Sequence, residues 1–109
     1  MSRVWFKKGV SLKNLQPQTV WAMERAREVF ASRGLNCIYT SIYRPQVEGE
    51  RRSLHPLGLA FDCDTDHDIS VAIWGVIADE LAAILGDEYD VLAHDAGSGY
   101  HIHAEHDPK

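Results

Sequence analysis

The sequence predicts a single α+β domain spanning residues 1–109, a mostly antiparallel sheet of about four strands flanked by two main helices. Three observations carry that expectation. Two stretches repeat apolar residues at helical spacing and are followed by glycine. Four others are β-branched, aromatic or alternating in polarity. They run in the order helix, strand, strand, helix, strand, strand, with only short polar connections.

Pro17 opens the first helical pattern, with Val20, Met23, Ala26 or Arg27, and Phe30 along one side and Gly34 as its stop. Cys37 to Tyr43 is rich in β-branched and aromatic residues and reads as a strand. Arg44 to Ser53, with Pro45 and Gly49, reads as a loop. Leu59 to Asp64 alternates: Leu59, Phe61 and Cys63 share one face, and Ala60, Asp62 and Asp64 share the other. Asp68 is placed to cap a helix running from Ile69 to Leu85 and ending at Gly86. Tyr89 to Ala93 is the next strand, residues 95–99 a turn, and Tyr100 to Glu105 the last strand, paired with its predecessor as a hairpin.

Composition narrows the function classes. A net charge of −5 argues against nucleic acid as a partner, because no basic stripe is available to neutralise phosphates. Lys7-Lys8 and Arg51-Arg52 read as solvated loop charges. No apolar run approaches the roughly 20 residues that a membrane span requires, so membrane insertion is not expected. Met1 to Leu15 lacks the apolar core of a secretory signal. Cys37 and Cys63 sit in apolar runs and read as two buried, reduced thiols, with one disulfide between neighbouring strands as the alternative. The expected state is a monomer.

The chemistry concentrates in two places. Four of the six histidines, His94, His101, His103 and His106, lie close to the C-terminus. His101 and His103 are two apart on a predicted strand, so both imidazoles address one face, and Ile102 between them points into the core. Upstream, Ser53 to Asp62 places His55 in a turn and Asp62 on the strand that follows. His55, Asp62 and a third ligand from a neighbouring strand would form a three-ligand site on the sheet face with one open position, as hydrolytic zinc requires. His67, His94 and His106 read as surface or loop residues. Asp64, Asp66 and Asp68 lack the glycine and closing glutamate of a calcium loop.

The pattern Ser-x-His-x-x-Gly-x-Ala-x-Asp is filled by Ser53, His55, Gly58, Ala60 and Asp62, and is followed near the C-terminus by His-x-His. In this the chain resembles the D-alanyl-D-alanine carboxypeptidase family of zinc peptidases, which includes small phage endolysins and bacterial dipeptidases. Thr40-Ser41-Ile42-Tyr43-Arg44 matches the strand end that precedes the motif in that family. The resemblance covers the chain from about Leu15 onward. It implies Zn2+ held by His55, Asp62 and His103, and hydrolysis of peptidoglycan stem peptides. It also implies that Arg44 reaches into the cleft, where a guanidinium fork suits a substrate carboxylate or an oxyanion. Without a secretory leader, such an enzyme would reach the wall through a holin-type export route, or be a cytoplasmic bacterial protein.

The chain departs from the family at one position. Many relatives carry an acidic residue three places before the last ligand, where it acts as general base and acid; here that residue is Tyr100. Three candidates for the proton work remain open. His101 shares a strand face with His103, Asp95 lies in the preceding turn, and Glu105 shares the face of both histidines. A zinc-containing binding domain without catalysis, as in the related hedgehog signalling domains, is the alternative to an enzyme.

Overall fold

The computed structural model describes residues 2–46, 53–95, 97 and 99–108. Among these, the chain forms five strands and two helices: β1 (Val4–Phe6), α1 (Pro17–Ser32), β2 (Cys37–Ser41), β3 (Ala60–Asp64), α2 (Val71–Leu85), β4 (Tyr89–Asp95) and β5 (Tyr100–His106). A 3₁₀ turn at His55–Leu57 precedes β3. The sheet order is β1-β2-β3-β5-β4. The β2–β3, β3–β5 and β4–β5 pairs are antiparallel and β1–β2 is parallel. The α+β class, the mostly antiparallel sheet and the closing hairpin are as expected.

The fifth strand corrects the expectation of four. Val4–Phe6 is three residues long and exposed throughout, so it has no buried face to generate alternation. Its place comes from pairing: Val4, Trp5 and Phe6 lie beside Cys37, Ile38 and Tyr39. The Cys37 amide also donates to the Arg3 carbonyl at 2.9 Å.

Pro17 begins α1 as expected, its fixed φ suited to a first turn where no amide hydrogen bond is lost. The buried stripe is Thr19, Ala22, Met23, Ala26, Val29 and Phe30. Val20 is 44% exposed and lies on the outer flank, a correction to the apolar side read from the sequence. At α2 the cap is Ser70, not Asp68: the Ser70 hydroxyl accepts the Ile73 amide at 3.2 Å, and the helix starts at Val71 rather than Ile69. Gly86 ends it as expected. The loop expected over 44–53 lies outside the described residues at 47–52, and so do Arg51 and Arg52.

Both helices share one core with one face of the sheet. Phe30 of α1 meets Trp74 of α2 edge-on, and Ile77 and Leu81 join Phe61, Cys63, Ile102 and Ala104 beneath them. Cys37 and Cys63 are buried and unpaired with each other. Strand alternation sends the intervening residues, Asp62 and His103 among them, to the opposite face. Among the described residues no helix is long and apolar enough to cross a membrane.

Candidate metal centre

Each fixed position of the Ser53–Asp62 motif has a physical task. The Ser53 hydroxyl accepts the His55 amide at 3.1 Å and fixes the start of the 3₁₀ turn. Gly58 ends that turn in the left-handed region, at φ 69°. A Cβ there would stand 1.8 Å from the Asn14 carbonyl oxygen, so only glycine fits. The Gly58 carbonyl accepts the Gln16 amide at 3.2 Å and the Thr19 hydroxyl at 2.7 Å, which ties the turn to the start of α1. Ala60 is fully buried at the head of β3. Asp62, two residues on, emerges on the polar face.

There the ligand candidates converge. Asp62 pairs with His103 across β3 and β5, and its Oδ1 lies 2.7 Å from His103 Nδ1. His55 is fully buried, with Nδ1 2.6 Å from the Ile42 carbonyl. A carbonyl can only accept, so Nδ1 carries the proton and donates, leaving a bare lone pair on Nε2. That Nε2 is shielded from solvent, has no hydrogen-bond partner among the described residues and lies 3.6 Å from Asp62 Oδ1. One ligand atom from each of His55, Asp62 and His103 falls within 4.8 Å of the others. A buried imidazole nitrogen with no proton and no partner, aimed at a carboxylate and a second imidazole, is a donor set suited to zinc.

Glu105 completes the arrangement. Its Oε1 lies 2.7 Å from His103 Nε2, so His103 donates to Glu105 from one nitrogen and turns the other toward Asp62. A carboxylate behind a ligating histidine fixes its tautomer and raises its basicity. Glu105 therefore orients His103 rather than standing free as a base.

The electrostatics follow from this packing. Burial alone would lower the His103 pKa, but hydrogen bonds to Asp62 and Glu105 outweigh it and raise the pKa above 6.5. Burial pushes Asp62 up, and the hydrogen bond and charge from His103 more than reverse that, leaving it far below the usual carboxylate range. The metal-free protein thus gains stability from Asp62 above its unfolded pKa, and loses it as pH falls through the depressed folded value. Stability from the raised His103 is full below pH 6.5 and is lost as pH rises through its folded pKa. A cation needs the His103 proton gone. Zinc affinity is therefore expected to fall about tenfold per pH unit once pH drops below the folded His103 pKa, with a proton released on binding. Calorimetric titration in buffers of different ionisation enthalpy checks this, and a pH-independent affinity would remove His103 from the ligand set.

Arg44 is exposed and lines the same cleft as Asp62. His101 shares the face of His103, two residues away on β5. Its cross-strand partner is His94, with ring centroids 4.3 Å apart. His94 is thus a strand residue beside the centre, 6.4 Å from the His103 ring, and not the loop residue the sequence suggested. Burial, then the neighbouring His101 and His103, lower its pKa. Asp95 pairs with Tyr100, and alternation places both on the opposite face from His103. The Asp95 carboxylate accepts the Gly97 and Gly99 amides at 2.7 and 3.2 Å, which makes it a turn former. Tyr100 packs against the core.

The sequence missed His94 because its neighbour is set by strand pairing, and the β4 strand runs two residues further than its apolar pattern. No protein-family model matches the chain, and no curated protein or solved structure matches it.

Proposed function

We propose that the protein is a zinc-dependent peptidase that hydrolyses peptide bonds in peptidoglycan stem peptides. The observation that carries this reading is the bare, buried His55 Nε2 facing Asp62 and His103 at the edge of an open cleft. The Ser53–Asp62 motif and its resemblance to zinc peptidases of the cell wall supply the substrate class. His55, Asp62 and His103 would hold the metal, which when bound supplies Lewis-acid activation of water and of the scissile carbonyl. Arg44, on the cleft wall, would bind a substrate carboxylate or neutralise the developing oxyanion. His101, on the same strand face as His103, would take the proton from the attacking water and return it to the leaving amine.

Peptide release from purified cell walls, with and without a chelator, tests the activity. Arg44→Ala is expected to keep zinc and lose roughly 10²–10³ in turnover, the scale for a removed oxyanion donor. His101→Ala should keep zinc and lose about a hundredfold or more, the scale for positioned proton transfer. Asp95→Ala should cleave at near the parental rate, because its carboxylate faces the other side of the sheet. An inactive Asp95→Ala beside an active His101→Ala would reverse the assignment.

A second reading is a metal-bearing binding domain without catalysis. It is favoured by Tyr100 at the acid position and by the engagement of both nearby carboxylates, Asp95 in the turn and Glu105 on His103. Walls left intact by a zinc-loaded protein that still binds them would select it.

A further inference from the structure

Strand pairing sets two more imidazoles on the sheet face that carries the metal centre. His94 of β4 and His101 of β5 are direct cross-strand partners, next to the Asp95–Tyr100 pair that closes the hairpin. Directly opposed residues of antiparallel strands hold their Cβ atoms about 4.5–5.5 Å apart, so the two side chains share one space. Here the ring centroids lie 4.3 Å apart, with the planes at 59°, so the rings are tilted rather than stacked. The turn fixes this register. Asp95 accepts the Gly97 and Gly99 amides at 2.7 and 3.2 Å, and so holds the strand ends that carry both rings.

The pair stands apart from the three-ligand centre. The His94 ring is 6.4 Å from that of His103, and neither His94 nor His101 belongs to the converging set of His55, Asp62 and His103. Their engagement also differs. Among the described residues, His55 meets the Ile42 carbonyl, His103 meets two carboxylates and His106 meets Glu88. Among the same residues, His94 and His101 meet only neighbouring rings and have no hydrogen-bond partner. Both rings are half-buried, sheltered on one side and open to an entering ion on the other. Two such imidazoles, held side by side by a pinned hairpin, are a donor set for a divalent transition ion.

We infer that His94 and His101 form a second zinc site, filled after the His55–Asp62–His103 centre and acting as its brake. The order follows from the donors. The centre offers three ligands, one of them charged, whereas the pair offers two neutral ones beside an ion already bound. The braking follows from His101, the residue assigned the proton of the attacking water. A neutral imidazole has one lone pair, and an ion that takes it leaves His101 unable to accept that proton. The braking rests on the peptidase reading; the site itself does not.

The test titrates the full chain with Zn2+ from one to several equivalents, reading histidine ring signals by NMR and stoichiometry by equilibrium dialysis. The parent is expected to bind two ions, with the His94 and His101 signals moving together on the second. His94→Gln and His101→Gln should each bind one, keeping the first ion and the melting temperature. His67→Gln, at an exposed bend before α2, should still bind two. A second ion that persists in His94→Gln, or a parent titration that ends at one, overturns the site. Peptide release from cell walls is then compared within each protein, at one equivalent and at saturating zinc. The parent should fall about a hundredfold, the scale for losing positioned proton transfer, and His94→Gln should hold its own one-equivalent rate. A second ion bound by both histidines that leaves release unchanged overturns the brake. Walls intact at every zinc level, with that ion still bound, remove the peptidase reading and keep the site.

Discussion

Asp62→Asn and His103→Ala are each expected to lose stoichiometric zinc, and they should do so for different reasons. Asparagine keeps the shape of Asp62 and an oxygen able to accept from His103, but it removes the charge that opposes a divalent cation. The fold should survive, with stability lower by about 1.5–3 kcal/mol for the lost charge-assisted hydrogen bond. His103→Ala removes the imidazole that sits between two carboxylates, Asp62 and Glu105, each 2.7 Å from one of its nitrogens. The two carboxylates then face each other without the imidazole that hydrogen-bonds both, so the metal-free variant should be less stable than Asp62→Asn at neutral pH and recover as pH falls. Elemental analysis and chelator-dependent melting measure both effects. A parental zinc content in either variant would take that residue out of the centre.

Among the described glycines, Gly58 is where an added methyl group is expected to do the most damage. Its Cβ would overlap the Asn14 carbonyl oxygen at 1.8 Å, backbone against backbone, and the residue would also keep φ 69°. Left-handed strain of about 1–2 kcal/mol and overpacking of about 1–3 kcal/mol together approach a substantial part of a small domain's stability. Gly97→Ala is the control: Gly97 also has positive φ, 103°, but nothing lies within 4 Å of its Cβ position. It should lose only the strain. Denaturant unfolding of the two variants separates clash from strain, and equal losses would show that the approach to Asn14 relaxes freely. Gly58→Ala should also weaken zinc binding, because the 3₁₀ turn it terminates carries His55.

The helices were legible because their signals are local: Pro17 fixes the start of α1, and Gly86 ends α2. Asp68 was read as the cap by residue type, yet capping depends on which side chain reaches the third amide onward, and that is Ser70 to Ile73. β1 was invisible because an edge strand exposed on both faces has no period to read. At the site, the family resemblance singled out His55, Asp62 and His103, and the fold brings one ligand atom of each within 4.8 Å of the others. The bond from His55 Nδ1 to Ile42, the role of Glu105 and the face of Asp95 were not legible. The first depends on how the 3₁₀ turn packs beside the end of β2, and the other two on strand register, which the cross-strand pairs of β3, β4 and β5 fix.

Separation along the chain bears on how the molecule forms. The contacts that build the centre join residues far apart: Asn14 reaches Pro56 across 42 positions, Thr19 reaches Gly58 across 39, and His103 reaches Asp62 across 41. Closing such separations is slow and comes late, after the local helices have formed. A partly folded chain would therefore present scattered imidazoles and carboxylates rather than a cage. A cation that recognises only the finished geometry cannot guide the chain toward it. Bound there, it would act on the opposite step, holding the native state shut and lengthening its lifetime while leaving the speed of folding almost untouched.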